Sequence, residues 1–268
     1  MFEKDDRPEQ PEPVQEKKRA GTAGGVLVGL GLLAAKFKTL LFFAPKLLLS
    51  FGSMFLSVWL YALIFGGWKI AIVFVLMILV HELGHYLTWR NFGIPARLPM
   101  FIPGFGAVTS APRMGTPAQN TAAALAGPLF GVGAAAVCWA YGISTKEPFW
   151  FACAYIGFFL NLFNLIPTPP FDGGAIAGAI DSRLYLLGIA FLVGWVVFFG
   201  GFNVFSVLIL ILVGFTAIPR LKAVLQGRGD PYGYALSAPQ RVVFAAAYIG
   251  LIIVAVAGAA ATHIDRVP

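Results

Sequence analysis

The sequence predicts an all-α polytopic membrane protein with about seven transmembrane helices, and two observations lead to that fold class. Of its 268 residues, 59% are hydrophobic and only 12% are charged, whereas soluble domains have about 45–50% apolar and roughly 25% charged residues. In addition, several apolar stretches approach the ~20 residues that a helix needs to cross a bilayer. A soluble core cannot bury this much apolar surface, so the lipid bilayer is the expected surrounding of the chain.

The first 46 residues divide into two predicted segments. Residues 1–23 are mostly polar and mixed in charge, with several prolines, and are predicted to form a disordered cytoplasmic tail. Residues 24–46 are apolar and rich in glycine, but Lys36, Lys38 and Lys46 interrupt the run. This pattern favours a segment lying in the membrane interface. Whether it spans the bilayer instead stays open at this point.

Seven candidate spans follow the N-terminal segment. The candidates at 185–200 and 203–218 are short, so they form either a tight pair around Gly200-Gly201 or one tilted, broken element. The seven candidates are residues 47–65, 69–89, 121–142, 149–166, 185–200, 203–218 and 242–262. They divide the chain into an intramembrane core, a cytoplasmic loop and a C-terminal transmembrane helix with a short tail, at 47–218, 219–241 and 242–268.

The distribution of positive charge gives the predicted orientation. With the N-terminus in the cytoplasm and one crossing per span, all but three of the 19 Lys and Arg residues fall on the cytoplasmic side, as the positive-inside rule requires. The exceptions are Lys69, Lys146 and Arg266. We therefore expect a multi-pass protein of the cell membrane with a cytoplasmic N-terminus. The net charge of +7 is dispersed over loops and ends, which excludes a nucleic-acid partner.

Cysteines and glycines within the spans are interpreted as structural. Cys138 and Cys153 lie in apolar segments and do not have the spacing of a disulfide framework or of paired zinc ligands. Gly127, Gly131 and Gly133 lie in one candidate span, where small residues allow helices to pack closely.

One candidate span contains a metal-binding pattern, His81-Glu82-Leu83-Gly84-His85. Residues four apart lie on one face of a helix, so both imidazoles can reach one metal ion with Glu82 beside them. A glutamate at the centre of a membrane helix costs about 2.5–3.5 kcal/mol on insertion scales, which indicates a functional role. The alternative is a polar cluster that only holds helices together.

A catalytic zinc ion usually takes three protein ligands, so a third must come from elsewhere in the chain. Glu147 and Asp181 are candidates, but both lie at ends of spans. Asp172 is the stronger candidate because it follows a Pro-rich run and precedes Gly173-Gly174. Such a helix break at membrane depth is tolerated where it is buried in protein or lines a cavity.

The motifs at 81–85 and 164–173 together resemble the site-2 protease family of intramembrane zinc metallopeptidases. The family pairs HExxH with a distant NxxPxPxLDG, and this chain departs from it only in having Phe171 in place of leucine. The resemblance covers about residues 47–218. It implies that Zn²⁺ is the cofactor, that Asp172 is the third ligand, that Glu82 is the general base, and that Asn164 donates a hydrogen bond to the scissile carbonyl. For Asn164 a purely structural hydrogen bond between helices stays an alternative.

The loop after the first motif also resembles a segment of this family. Residues 103–109 (PGFGAVT) resemble the family's re-entrant β-hairpin, whose edge strand pairs with an unwound substrate segment. The resemblance implies that this small hairpin accompanies the helices, with Gly104, Gly106, Ala107 and Val108 binding substrate. A plain surface turn is the alternative.

We therefore expect an intramembrane zinc metalloendopeptidase that cleaves a transmembrane segment of another membrane protein near its cytoplasmic side. Substrates of that kind include membrane-tethered regulators and leftover signal peptides. A metal transporter and a catalytically inactive binder of membrane segments are the rival functions. The sequence does not indicate the substrate, the cleavage position, the regulator, the membrane system or the oligomeric state.

Overall fold

The structure is a computed structural model that describes residues 49–112, 114–200, 203–227 and 236–263. The predicted tail at 1–23 and interfacial segment at 24–46 lie outside the described residues, as do residues 228–235 of the predicted loop. The described parts form helices joined by short turns and one small hairpin. These elements are α1 (Leu49–Phe65), α2 (Trp68–Asn91), β1 (Met100–Ile102), β2 (Gly106–Val108), α3 (Pro117–Thr145), α4 (Pro148–Asn164), α5 (Asp172–Asp181), α6 (Tyr185–Trp195), α7 (Val204–Leu225) and α8 (Ala238–Thr262).

The predicted helical fold with a small two-stranded sheet is confirmed, whereas the predicted count of seven spans is not. Among the described residues, five helical segments are long and apolar enough to cross a membrane, namely α2, α3, Asp172–Phe198, Ser206–Leu225 within α7, and α8. Helices α1 and α4 are apolar but shorter. The 17 residues of α4 measure about 25 Å at ~1.5 Å per residue, less than the ~30 Å of a hydrocarbon core.

Helix α6 begins at Tyr185, as the candidate span at 185–200 predicted, and the apolar segment that contains it begins at Asp172. Helix α5 passes into α6 through a single 3-10 turn at Ser182–Leu184. The carboxylate of Asp181 accepts a hydrogen bond from the backbone N–H of Arg183 at 2.9 Å. Asp181 has an extended backbone (φ −159°, ψ 115°), so the polar residues at 181–183 mark the boundary between α5 and α6. Helix α7 also continues past the predicted end at residue 218, with Pro219 inside it.

Helix α3 is the centre of the bundle and packs against α2, α4, α5 and α8. Small side chains let its neighbours approach closely: a Cβ atom on Gly84 of α2 would lie 2.4 Å from the carbonyl oxygen of Ala126. The predicted close packing holds for Gly127 and Gly131, each of which lies against a neighbouring side chain. For Gly133 the prediction is wrong. That position faces open space, because it lies on the other side of the same helix.

The two cysteines pack as the sequence predicted. Cys153 is fully buried and Cys138 is half-buried, and both are free thiols. Neither takes part in the metal-ligand cluster of the described residues.

The hairpin β1–β2 lies between α2 and α3 in the chain and pairs antiparallel, with Phe101 opposite Ala107. Its turn is closed by a hydrogen bond from the N–H of Phe105 to the carbonyl of Ile102 at 2.9 Å. Proline follows Ile102, and Gly104 has a φ of +83°. Proline and then a positive-φ glycine are the residues that a type II turn requires, so the local sequence determines this turn.

Candidate metal centre

Three potential ligand atoms from two helices converge inside the bundle. His81 and His85 lie one turn apart on α2, and Asp172 is the first residue of α5. The Nε2 atom of His81 is 2.9 Å from Oδ2 of Asp172 and 3.1 Å from Nε2 of His85. The third side of the triangle, from Nε2 of His85 to the same carboxylate oxygen, is 3.3 Å. Ligands at ~2.0–2.1 Å from a tetrahedral zinc ion are separated by about 3.3 Å, so this triangle has the dimensions of a zinc site.

Hydrogen bonds at the far side of each imidazole determine which nitrogen faces the cluster. Nδ1 of His85 lies 2.7 Å from the carbonyl oxygen of Ala123, which can only accept, so this nitrogen carries the proton. Nδ1 of His81 lies 2.8 Å from Oδ1 of Asn161. The amide nitrogen of Asn161 donates to the carbonyl of Gly157 at 2.7 Å, which leaves Oδ1 as the acceptor.

With Nδ1 protonated, each imidazole in its neutral, metal-binding form directs the lone pair of Nε2 toward the carboxylate of Asp172. Three electron pairs directed at one point repel each other unless a cation binds between them. Two neutral histidines and one carboxylate are also the ligand types that catalytic zinc ions use. Acceptors on Nδ1 fix the imidazole orientation in such sites. The residues present therefore fit a zinc ion.

Glycines of α3 make room for this cluster. A Cβ atom on Gly127 would lie 2.2 Å from Nε2 of His85 and 2.9 Å from Nε2 of His81. A Cβ atom on Gly131 would lie 2.1 Å from Oδ1 of Asn161. The glycines that allow close helix packing thus also leave space for the ligands.

A cavity of about 280 Å³ adjoins the three ligands and reaches the hairpin. Glu82 is buried at its wall, next to His81, and its backbone carbonyl accepts a hydrogen bond from the hydroxyl of Thr109 at 3.3 Å. Asn164 lines the same cavity, with its amide nitrogen donating to the carbonyl of Leu160 at 3.1 Å. The cavity therefore brings together an acid, an amide and the metal-ligand cluster.

The predicted substrate-binding residues divide into two groups. Ala107 and Val108 line the cavity, whereas Gly104 lies in the turn and Gly106 begins β2, both at positive φ. The other two candidate ligands lie elsewhere: Glu147 is the residue before α4, and Asp181 is the last residue of α5. Neither belongs to the ligand cluster of the described residues.

Sequence reasoning missed Asn161 and Ala123 as partners of the histidines. Asn161 is a polar residue in the otherwise apolar run of α4, which suggests a specific role. Because it lies 80 residues from His81 in the chain, its contact with that histidine could not be predicted. The carbonyl of Ala123 carries no signal in the sequence. Trp89, Thr109 and Met114 also line the cavity without having been predicted to do so.

Comparison with known proteins agrees with this geometry. The described residues form apolar helices of membrane-spanning length around three residues that could hold a metal ion. The model of Peptidase family M50 matches residues 69–147, which hold the HExxH motif and the hairpin. The chain is also similar to a zinc metalloprotease of Methanocaldococcus jannaschii, with 28% identity over 121 residues. That region is 43% of this chain and 36% of the relative, so the chain spans about a third of the length of that curated relative. The resemblance to the site-2 protease family is confirmed.

Proposed function

We propose that this chain is an intramembrane zinc metalloendopeptidase that hydrolyses peptide bonds in or near transmembrane segments of membrane-protein substrates. The observation that carries the proposal is the convergence of His81, His85 and Asp172 beside the buried carboxylate of Glu82. This cluster lies in helices apolar enough to span a membrane. This position supports hydrolysis at a depth where a transmembrane substrate would meet the cluster.

The residues around the cluster take separate roles in hydrolysis. His81, His85 and Asp172 would hold zinc, which when bound supplies a water activated for attack and polarises the substrate carbonyl. Glu82 accepts the proton of the attacking water at its carboxylate and returns it to the departing amine. Asn161 and the carbonyl of Ala123 keep the two imidazoles oriented throughout.

Asn164 is the proposed electrophilic group. Its amide lines the cavity that also holds Glu82, so it can donate a hydrogen bond to the scissile carbonyl oxygen. Such a donor contributes most when negative charge develops on that oxygen in the transition state.

The edge of β2 is the proposed docking site for the substrate backbone. Ala107 and Val108 line the cavity, and an extended segment that pairs with β2 would pass over the metal-ligand cluster. A helical peptide bond is protected by its own hydrogen bonds, so the substrate must unwind before it pairs. Gly104 and Gly106 contribute to substrate binding indirectly, because their positive φ angles form the connection that positions β2.

The orientation of the protein is part of the same proposal. With a cytoplasmic N-terminus in the cell membrane, the hairpin lies in the cytoplasmic-side segment between α2 and α3, as the positive-inside rule predicts. Cleavage near the cytoplasmic end of a substrate helix follows. Membrane-tethered regulators and leftover signal peptides are the two substrate types that match this position.

Reconstitution into liposomes separates this function from its rivals. Purified protein should contain one zinc per chain and cleave a tagged transmembrane substrate. Removal of zinc by a chelator should abolish cleavage, and added zinc should restore it. Zinc entry into sealed liposomes without cleavage would instead support the transporter, and substrate capture without cleavage by the zinc-loaded protein would support the inactive binder. Well-folded native protein that retains no zinc would contradict the proposal.

A further inference from the structure

The two strands of the hairpin point their free edges in opposite directions. Opposed residues of an antiparallel pair either exchange both backbone hydrogen bonds or exchange none. The N–H of Phe101 donates to Oγ of Ser53 on α1 at 3.1 Å, so it does not bond to β2. Phe101 and Ala107, which are opposite each other, therefore form a non-hydrogen-bonded pair. The N–H and C=O of Ala107 point away from β1, on the edge of β2 that borders the cavity.

Helix α1 covers the outer edge of β1 with hydroxyl groups instead of a third strand. The hydroxyl of Ser53 donates to the carbonyl of Ser50 at 2.8 Å, which directs its lone pairs at the N–H of Phe101. The hydroxyl of Ser50 donates to the carbonyl of Pro99, the residue before β1. Because positions three apart share a helix face, these two serines form one polar contact along the strand.

Apolar packing fixes the hairpin to the same helix. Phe101 is 3% exposed and belongs to a cluster with Tyr61 and Ala62 of α1 and with Ala71 and Val75 of α2. An open strand edge in apolar surroundings leaves polar groups unsatisfied and invites wrong pairing. The serines remove that possibility on the β1 side.

We propose that Ser53 is a positioning residue, which closes the β1 edge so that a substrate segment adds as a third strand to β2 alone, paired through the backbone of Ala107. This inference rests on the proposed peptidase function for its substrate. The structural part of the inference concerns only the Ser53–Phe101 contact and does not depend on the peptidase function. The residue acts through the hairpin and does not touch the reacting atoms.

Ser57 provides a matched control on the same helix. Its side chain is fully buried, whereas that of Ser53 is half-buried, and the Ser57 hydroxyl has no hydrogen-bond partner among the described residues. Ser53→Ala and Ser57→Ala remove the same atom from positions one turn apart on the same helix, and only the first removes a contact to the hairpin. Ser53→Thr retains the hydroxyl and should restore the behaviour of the native protein.

Hydrogen exchange of the purified protein tests the structural part without any cleavage. Ser53→Ala should speed exchange at the Phe101 amide about tenfold, the factor corresponding to one lost buried hydrogen bond, whereas Ser57→Ala should leave it unchanged. Equal exchange in the two variants would overturn the role of Ser53. This result does not depend on whether the protein is a peptidase.

Cleavage kinetics test the substrate part. Ser53→Ala should raise KM about tenfold with kcat nearly unchanged and zinc content equal to that of Ser57→Ala. N-methylation of the substrate residue that pairs with Ala107 should weaken cleavage by the native protein, and weaken it less in Ser53→Ala. An N-methyl effect that is the same in both would overturn pairing at β2. Failure of the native protein to cleave would instead overturn the proposed function, and with it the substrate part.

Discussion

Oδ1 of Asn161 lies 2.8 Å from Nδ1 of His81, although the two residues are 80 positions apart in the chain. This contact joins α4 to the metal-ligand cluster on α2 and turns the Nε2 lone pair of His81 toward Asp172. A partner that orients a metal-binding histidine typically contributes 10–100-fold to metal affinity. Asn161 therefore acts on the cluster without binding the metal itself.

Asn161→Ala should weaken zinc binding about 10–100-fold because His81 loses the acceptor that fixes its tautomer. Asn161→Asp should retain most of the affinity, since a carboxylate is also a common acceptor for such histidines. Competition between the purified variants and a zinc-buffered indicator measures the dissociation constants. Native affinity in Asn161→Ala would show that the imidazole is held by other contacts.

Asn164→Ala is the matched comparison, one turn further along the same helix, and should have the opposite effect. Zinc content should be native, because Asn164 does not contact a ligand in the described structure, whereas kcat should fall about 10²–10³-fold as an oxyanion donor is lost. Zinc analysis and cleavage rates on the same preparation separate the two outcomes. Native kcat would assign Asn164 the structural role considered as its alternative.

Gly127→Ala should abolish zinc binding and cleavage. The added methyl group would lie 2.2 Å from Nε2 of His85, too close for the imidazole to keep its place. Gly133→Ala is the control, because it makes the same change on the same helix in open space. It should leave zinc content and activity unchanged. Zinc retention by Gly127→Ala would mean that α3 can move away from the ligands.

Tyr248→Phe should destabilise the segment that leads to Asp172. The Tyr248 hydroxyl of α8 donates to the carbonyl of Leu165, just after the end of α4, and both groups are buried. Leaving that carbonyl unsatisfied costs about 1–3 kcal/mol, so thermal unfolding in detergent should occur at a lower temperature. Tyr141→Phe, which alters an exposed ring on α3, should not change the unfolding temperature. An equal effect of both substitutions would rule out a specific role for the Tyr248 contact.

Much of the candidate metal centre could be predicted from the sequence because its central motif lies within one helix. His81 and His85 share a helix face through backbone geometry alone, and an acid between them in an apolar run has few structural reasons to be present. Asp172 could also be predicted from the sequence, because the prolines and glycines around it predict a break in a helix at membrane depth. The structure begins α5 at that residue, which brings its carboxylate to the histidines.

Other features depend on packing, which the sequence does not specify. Gly127 and Gly133 are both glycines of α3, yet Gly127 lies against His85 whereas Gly133 faces open space. The direction of each glycine depends on the rotation of α3 within the bundle. The contact of Ser53 with Phe101 likewise requires the position of the hairpin against α1.

The most direct test of the account is cleavage of a tagged transmembrane substrate by native protein and by Glu82→Gln, with zinc measured in the same samples. Glu82→Gln should keep native zinc content and lose about 10²–10⁴-fold in kcat, the usual contribution of a general base. Glu147→Gln, at the exposed start of α4, should match the native protein in both. Cleavage by Glu82→Gln at the native rate with full zinc content would contradict the account.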